Sequence, residues 1–295
     1  MPDSLPATLP PVWSGLLDDA AIFPPGNAPL HEATAAHGQH RTAWYGDLLG
    51  SFVLKDTDLP LVRGVPHPLS VVVTGGAGQV AGPLSAAARL GLDVAGLEIA
   101  LRDLDDLAGN ARRVVAAVDH ARGEGVLPDD VPVFVELPRG ELSGGEPSYG
   151  WGAAADEVAA AELRLKLRTG GVEAHLFPTA AELAAWIDAA LDREVAFKCT
   201  AGLHHAVRHT SPEGFEQHGF LNVLLATVRA FDGASRAETV ATLEERDAGR
   251  LAATDEDVAR ARRWFTSFGT CSIDEPLADL LALGLVPRDP TEQSR

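Results

Sequence analysis

The chain has 295 residues, 46% of them hydrophobic, which suits one large domain with a substantial core. Acidic residues outnumber basic ones 42 to 24, for a formal net charge of -18. Such a surface repels phosphate backbones and anionic lipid heads, which argues against nucleic-acid and membrane partners. The two cysteines, Cys199 and Cys271, lie outside any CxxC pair, and Met1 to Pro11 has no basic stretch followed by an apolar one. Both points fit a reducing, cytoplasmic setting without a signal peptide. No apolar run approaches the roughly 18 residues that span a bilayer.

Residues 1–50 read as an irregular arm packing on a larger body. The run Leu17 to Gly26 ends in the breakers Phe23-Pro24-Pro25-Gly26, which could lie over a barrel mouth or under its base. A short helix is expected from Leu30 to about Ala43. A rhythm then sets in, with short apolar runs at Phe52–Lys55, Leu69–Thr74, Gly96–Leu101, Val131–Leu137, Leu163–Arg168, Val195–Thr200, Phe220–Leu225 and Phe265–Ile273. Between them lie helical stretches at Pro83–Leu90, Leu104–Arg122, Ala153–Glu162, Thr179–Leu191 and Pro276–Leu283. Strands alternating with helices imply βαβ units and a parallel sheet, and eight of them imply a closed (β/α)8 TIM barrel over residues 51–290. Phe220–Leu225 also reads as helix. Residues 212–264 hold extra helical stretches (Glu238–Leu251, Asp255–Trp264), an insertion before the last strand.

Alternation sends neighbouring strand residues to opposite faces. In Leu163 to Arg168 the leucines suit the layer against the helices, so Arg164, Lys166 and Arg168 point into the barrel. The same argument turns Lys198 and Thr200 inward, with Glu98, Ala100 and Arg102, and with Pro132, Phe134 and Glu136. Four consecutive strands therefore each send a charge inward near their C-terminal ends: Glu98, Glu136, Lys166 and Lys198. Barrel active sites sit at that face. A purely structural ion-pair cluster would give the same pattern.

Only three of the 24 basic residues are lysines: Lys55, Lys166 and Lys198. A lysine amine can lose its proton and form an imine, which a guanidinium does not do. The two inward lysines open the segments Lys166-Leu-Arg-Thr-Gly-Gly171 and Lys198-Cys-Thr-Ala-Gly202, each a strand end, a polar residue and a glycine turn. Thr169, Gly170, Gly171, Thr200 and Gly202 are thus candidate anion-binding residues. Thr179–Leu191 between them has Thr179 and Glu182 spaced for a capping box.

This pair of segments resembles the two lysine strands of deoxyribose-phosphate aldolases, which are Schiff-base (class I) aldolases. The resemblance implies imine formation at Lys166, with Lys198 as its electrostatic partner. It also implies phosphate binding near Gly269-Thr-Cys-Ser272, making Thr270 and Ser272 candidates. Glu98 or Glu136 would supply the proton relay, since no segment matches the family's catalytic aspartate. The sequence departs from the family where Leu167-Arg168 follows the first lysine and where one glycine closes the second segment. Counted along the chain, the lysines fall on strands five and six, where the family uses six and seven. More broadly the chain resembles bacterial barrel proteins.

Arg102, Arg139 and Arg168, at or past strand ends, could clamp a carboxylate or phosphate or neutralise the glutamates. Gly202-Leu-His-His-Ala-Val-Arg-His209 offers His204 and His205, which with Glu98 and Glu136 could hold a divalent metal or act as acid–base groups. The glycines of Val73 to Gly82 suggest a dinucleotide loop, but neither Tyr45 nor Tyr149 has the lysine four residues on that such reductases use. The expectation is a lysine-dependent lyase acting on a small oxo-acid or a phosphorylated carbonyl compound, without cofactor. A metal-assisted barrel enzyme and a non-catalytic anion-binding barrel are the alternatives. The partner expected is a small anionic or carbonyl substrate, and a homo-oligomer is compatible with it.

Overall fold

The computed structural model describes residues 9–140 and 142–287. Eight parallel strands close a barrel: β1 (Leu17–Asp19), β2 (Leu49–Lys55), β3 (Leu69–Val73), β4 (Val94–Ala100), β5 (Val133–Glu136), β6 (Arg164–Arg168), β7 (Phe197–Thr200) and β8 (Phe265–Thr270). Each pairs with its chain neighbour, and β8 closes on β1 through Leu17 opposite Phe268 and Asp19 opposite Thr270. The protein is an α/β TIM barrel.

Helices α1 (Leu30–Thr42), α2 (Ala81–Leu90), α3 (Leu107–Gly123), α4 (Tyr149–Ala160), α5 (Ala180–Asp192) and α6 (Phe220–Phe231) follow in chain order. Then come α7 (Arg236–Glu244), α8 (Asp255–Arg262) and α9 (Asp274–Ala282). A 3-10 stretch, Asp56–Leu61, replaces a helix between β2 and β3. The cap of α5 is as the spacing predicts. The Glu182 amide donates to Thr179 Oγ1 at 3.2 Å, and Glu182 Oε2 accepts from the Thr179 amide at 2.7 Å.

Alternation sorts the strands as the composition demands. Leu97, Ile99, Leu165, Leu167, Phe197 and Cys199 are all buried against the helices, a layer that supplies most of the core's apolar burial. Their neighbours in sequence face the barrel interior.

Two corrections follow. Residues 1–50 are not merely an arm, because Leu17–Asp19 is the first barrel strand. It is three residues long and two of them are aspartates, so neither length nor apolarity marked it. Phe220–Leu225 is helix, not strand. Phe220 to Val228 are all buried, and a helix buried all round lacks the polar face that would distinguish it from a buried strand. The two changes cancel in number. The strands from Leu49 to Thr200 each move up by one place, which puts Lys166 on the sixth strand and Lys198 on the seventh. Between β7 and β8 the chain makes a short hairpin (His209–Thr210 with Glu216–Gln217) and then α6, α7 and α8, so the segment read as a helical insertion also contains a helix of the barrel layer.

Candidate active site

Register brings the four inward charges together. Lys166 is level with Lys198 on one side and Glu136 on the other, and Glu136 with Ala100 of β4. Lys166 Nζ lies 2.7 Å from Glu98 Oε2 and 3.0 Å from Glu136 Oε2. Lys198 Nζ donates to Glu98 Oε1 and to Asp18 Oδ2, both at 2.7 Å. Arg168 Nε donates to Glu136 Oε1 at 2.8 Å. The result is one continuous chain of alternating charge: Asp18, Lys198, Glu98, Lys166, Glu136, Arg168.

Asp18 is the member that reading the sequence missed, because its strand was missed. Its carboxylate is saturated: Oδ1 accepts from the Ser51 amide at 3.0 Å and hydroxyl at 2.7 Å, and Oδ2 also accepts from the Ser267 hydroxyl at 2.7 Å. Beside it, Asp19 Oδ2 is 3.0 Å from His37 Nδ1, which ties α1 to β1. The signal available was the Asp-Asp pair near the start of a run of which only the closing breakers were read.

Burial works against Glu98, Glu136, Lys166 and Lys198, and the pairing overrides it. The Glu98 carboxyl would be raised by desolvation, but Lys166 and Lys198 hold it at about 2. Glu136 is likewise desolvated, yet held below its ordinary range by Lys166 and Arg168. Desolvation pulls Lys166 down, and Glu136 and Glu98 more than compensate, leaving it above the ordinary lysine range. Lys198 is raised in the same way against desolvation, by Asp18 and Glu98. These shifts leave Lys166 and Lys198 as ammoniums and Glu98 and Glu136 as carboxylates. Lys198 Nζ also stands over the Phe134 ring, 5.1 Å from its centre.

The two lysines differ in exposure to the site. A cavity of about 380 Å³ opens at the C-terminal ends of the strands, and Lys166, Glu98, Glu136, Arg168 and Arg102 are on its wall. Lys198 is not on that wall; it sits behind Glu98 at 1% exposure. Phe23, Pro24 and Pro25 line the same cavity, so the Phe-Pro-Pro-Gly segment lies at the mouth. Lys55 takes no part in the charge chain; it stands 5.7 Å over the Phe23 ring.

The remaining predicted residues divide. Gly171, Thr200 and His204 are on the cavity wall; Thr169, Gly170, Gly202, His205, Thr270 and Ser272 are not. The glycines serve close packing instead. A Cβ on Gly170 would come 2.8 Å from Gly202 Cα, and one on Gly202, which has φ +77°, would come 2.9 Å from Gly170 Cα. The buried Thr169 hydroxyl donates to the Ala201 carbonyl, and the Thr270 hydroxyl donates to the Ser272 carbonyl at 2.9 Å. Arg139 forks onto Glu182, both contacts at 2.8 Å, and is held there as a structural pair.

The histidine loop does not converge on the glutamates. His204 Nδ1 meets Glu275 Oε2 at 2.9 Å, and its Nε2 lies 3.9 Å from Cys271 Sγ. His205 Nδ1 meets Asp279 Oδ2 at 3.1 Å on another face of the loop. Among the described residues no group of three or more His, Cys, Asp or Glu side chains is gathered as a metal site would require, so the set of Glu98, Glu136 and these histidines is not assembled. Nor does any helix among them have the length and apolarity to cross a membrane.

No protein-family model matches the chain, and no curated protein matches it. Solved structures do. The chain is similar to the tetrameric deoxyribose-phosphate aldolase of Aeropyrum pernix, at 11% identity and TM-score 0.55, with 93% of each chain covered. It is also similar to a Toxoplasma gondii ME49 protein assigned as a deoxyribose-phosphate aldolase, at 14% identity and TM-score 0.52, with 92% of this chain and 94% of that one covered. The class I aldolase resemblance thus extends from two lysine strands to the whole barrel. At these identities it establishes the fold, and the chemistry has to be argued from the site.

Proposed function

We propose that the protein is a lysine-dependent lyase of aldolase type, acting on a small oxo-acid or a phosphorylated carbonyl compound at Lys166. The observation that carries this reading is the unequal placement of two paired lysines on adjacent strands. One is on the wall of a cavity of substrate size and the other is sealed behind it. A merely structural ion pair has no need of the cavity.

In this reading the Lys166 amine adds to a carbonyl carbon, water leaves, and the iminium draws electrons from the neighbouring C–C bond into an enamine while the β-hydroxyl becomes a second carbonyl. Glu136, on the same wall and 3.0 Å from Nζ, is placed to take the hydroxyl proton. Lys198 acts indirectly. Its charge opposes that of Lys166, and it occupies Glu98 so that Glu98 does not hold Lys166 alone. Because Glu136 and Glu98 favour the Lys166 ammonium, imine formation requires a proton to leave first. The same ammonium could instead polarise a carbonyl without covalent attachment, a second reading that its raised pKa favours.

Borohydride added with a panel of oxo-acids and aldehydes separates the two. Imine chemistry leaves a reduced substrate adduct on Lys166 by mass spectrometry. Turnover of a substrate without any adduct on Lys166 leaves the polarising role alone. Assembly as a homo-oligomer is part of the proposal, and light scattering of the purified chain measures it directly.

A further inference from the structure

We infer that the cavity selects a carboxylate-bearing substrate, a short 2-oxo acid or its aldol adduct, rather than a phosphorylated one. The carboxylate would be held by Arg102 and Arg168. This deepens the proposed function and rests on it for the carbonyl.

Charge balance supplies the first argument. Along the alternating chain three carboxylates meet two ammoniums and the Arg168 guanidinium. Arg102, on the same cavity wall, has no side-chain partner among the described residues and is the cation left over. The site as a whole therefore accommodates one negative charge, which a carboxylate carries and a phosphate monoester near neutral pH exceeds.

Register supplies the second. Arg168 is two residues beyond Lys166 on β6, and Arg102 is two residues beyond Ala100 on β4. Those strands flank β5, where Glu136 is level with both Ala100 and Lys166. Both arginines thus branch from the chain one inward-facing layer nearer the mouth than Lys166, about 7 Å of strand. That short step suits an anion attached directly to the reacting carbonyl. Among the described residues Arg168 is bound through Nε alone, so its two terminal nitrogens keep donors for a fork that a carboxylate matches.

The third argument is the fate of the phosphate features. The glycine turns at Gly170 and Gly202 are packed on one another. The Thr169 and Thr270 hydroxyls are spent on carbonyls. The rim where a phosphate would need a nest of free donors has instead Phe23, Pro24 and Pro25 on the cavity wall.

The test uses calorimetric titration of the whole protein with lactate, pyruvate, acetone and dihydroxyacetone phosphate, together with borohydride trapping of the carbonyl compounds. Lactate reports the anion site without any imine. The inference expects lactate and pyruvate to bind at least about tenfold more tightly than dihydroxyacetone phosphate. Arg168→Gln and Arg102→Gln should each weaken lactate by about tenfold or more, the scale of a charge-assisted hydrogen bond. Arg168→Lys keeps the charge and loses the fork, so it should fall between wild type and Arg168→Gln. Tighter binding of dihydroxyacetone phosphate than of lactate overturns the inference, as does lactate binding indifferent to both arginines. Pyruvate trapped at Lys166 without arginine dependence leaves the imine reading standing and this one fallen. Arginine-dependent lactate binding with nothing trapped does the reverse.

Discussion

The charge chain has a sealed half and an open half, and the same ion-pair chemistry does different work in each. Asp18 and Lys198 are buried off the cavity, and Glu98, which Lys198 adjoins, is 2% exposed although its edge reaches the wall; the lysine bridges the two carboxylates, and serine hydroxyls fill the places left on Asp18. Lys166, Glu136 and Arg168 make contacts of 2.7–3.0 Å but face the cavity. A sealed charge that loses its partner has no water to turn to, whereas a charge at the mouth does. The comparison teaches that stability should concentrate in one half and chemistry in the other.

The largest effect expected is categorical. Lys166→Ala should abolish borohydride trapping of any carbonyl substrate, while Lys198→Arg should retain a folded protein that traps less. Equal trapping by wild type and Lys166→Ala would falsify the imine at this position. Lys198→Met strikes the sealed half, leaving Asp18 without its cation and Glu98 with one instead of two. It should cost about 3–5 kcal/mol in urea unfolding, more than Arg168→Met at the open end. Asp18→Asn added to Lys198→Met should recover part of the loss, and strict additivity of the two would dissolve the sealed half as a unit.

Acid should expose the same half. Glu98 is held at about 2, below its ordinary 4.5. A depressed carboxyl stabilises the fold above its unfolded value, so this contribution is intact at neutral pH. It is lost as pH falls from about 4.5 towards 2, an amount of roughly 3 kcal/mol. Glu98→Gln should flatten that part of the stability profile, measured by denaturant titration at successive pH values. For the open half the direction reverses. Lys166 is raised, so its amine fraction grows with pH, and trapped adduct should increase steadily from neutral pH upward. A trapping rate that is flat across that range would mean substrate itself strips the proton. The smallest effect belongs to the third lysine: Lys55→Ala, at the exposed edge of the mouth, should change stability by no more than about 0.5 kcal/mol and leave trapping untouched.

Much of this architecture was legible without coordinates. Strand alternation at Leu163 to Arg168 and Val195 to Thr200 has one consistent solution, so the inward direction of Lys166 and Lys198 followed from residue type. Glu98 and Glu136 followed in the same way. Asp18 did not, because a three-residue strand carries too little pattern to be seen and takes its conformation from Leu49 and Phe268 on either side. Gly170 and Gly202 were visible as glycines, but whether a glycine frees its backbone for an anion or for another loop depends on what lies opposite.

By itself the sequence determined the fold class, the faces of the strands and the scarcity of lysine, because these are properties of periodicity and composition. The tertiary structure decided which lysine meets the cavity, that Asp18 completes the charge chain, that the histidines turn to Glu275 and Asp279, and that the lysine strands are the sixth and seventh. The physical reason is range. Alternation acts over neighbouring residues, whereas Lys198 and Asp18 are 180 positions apart and meet only because the barrel closes.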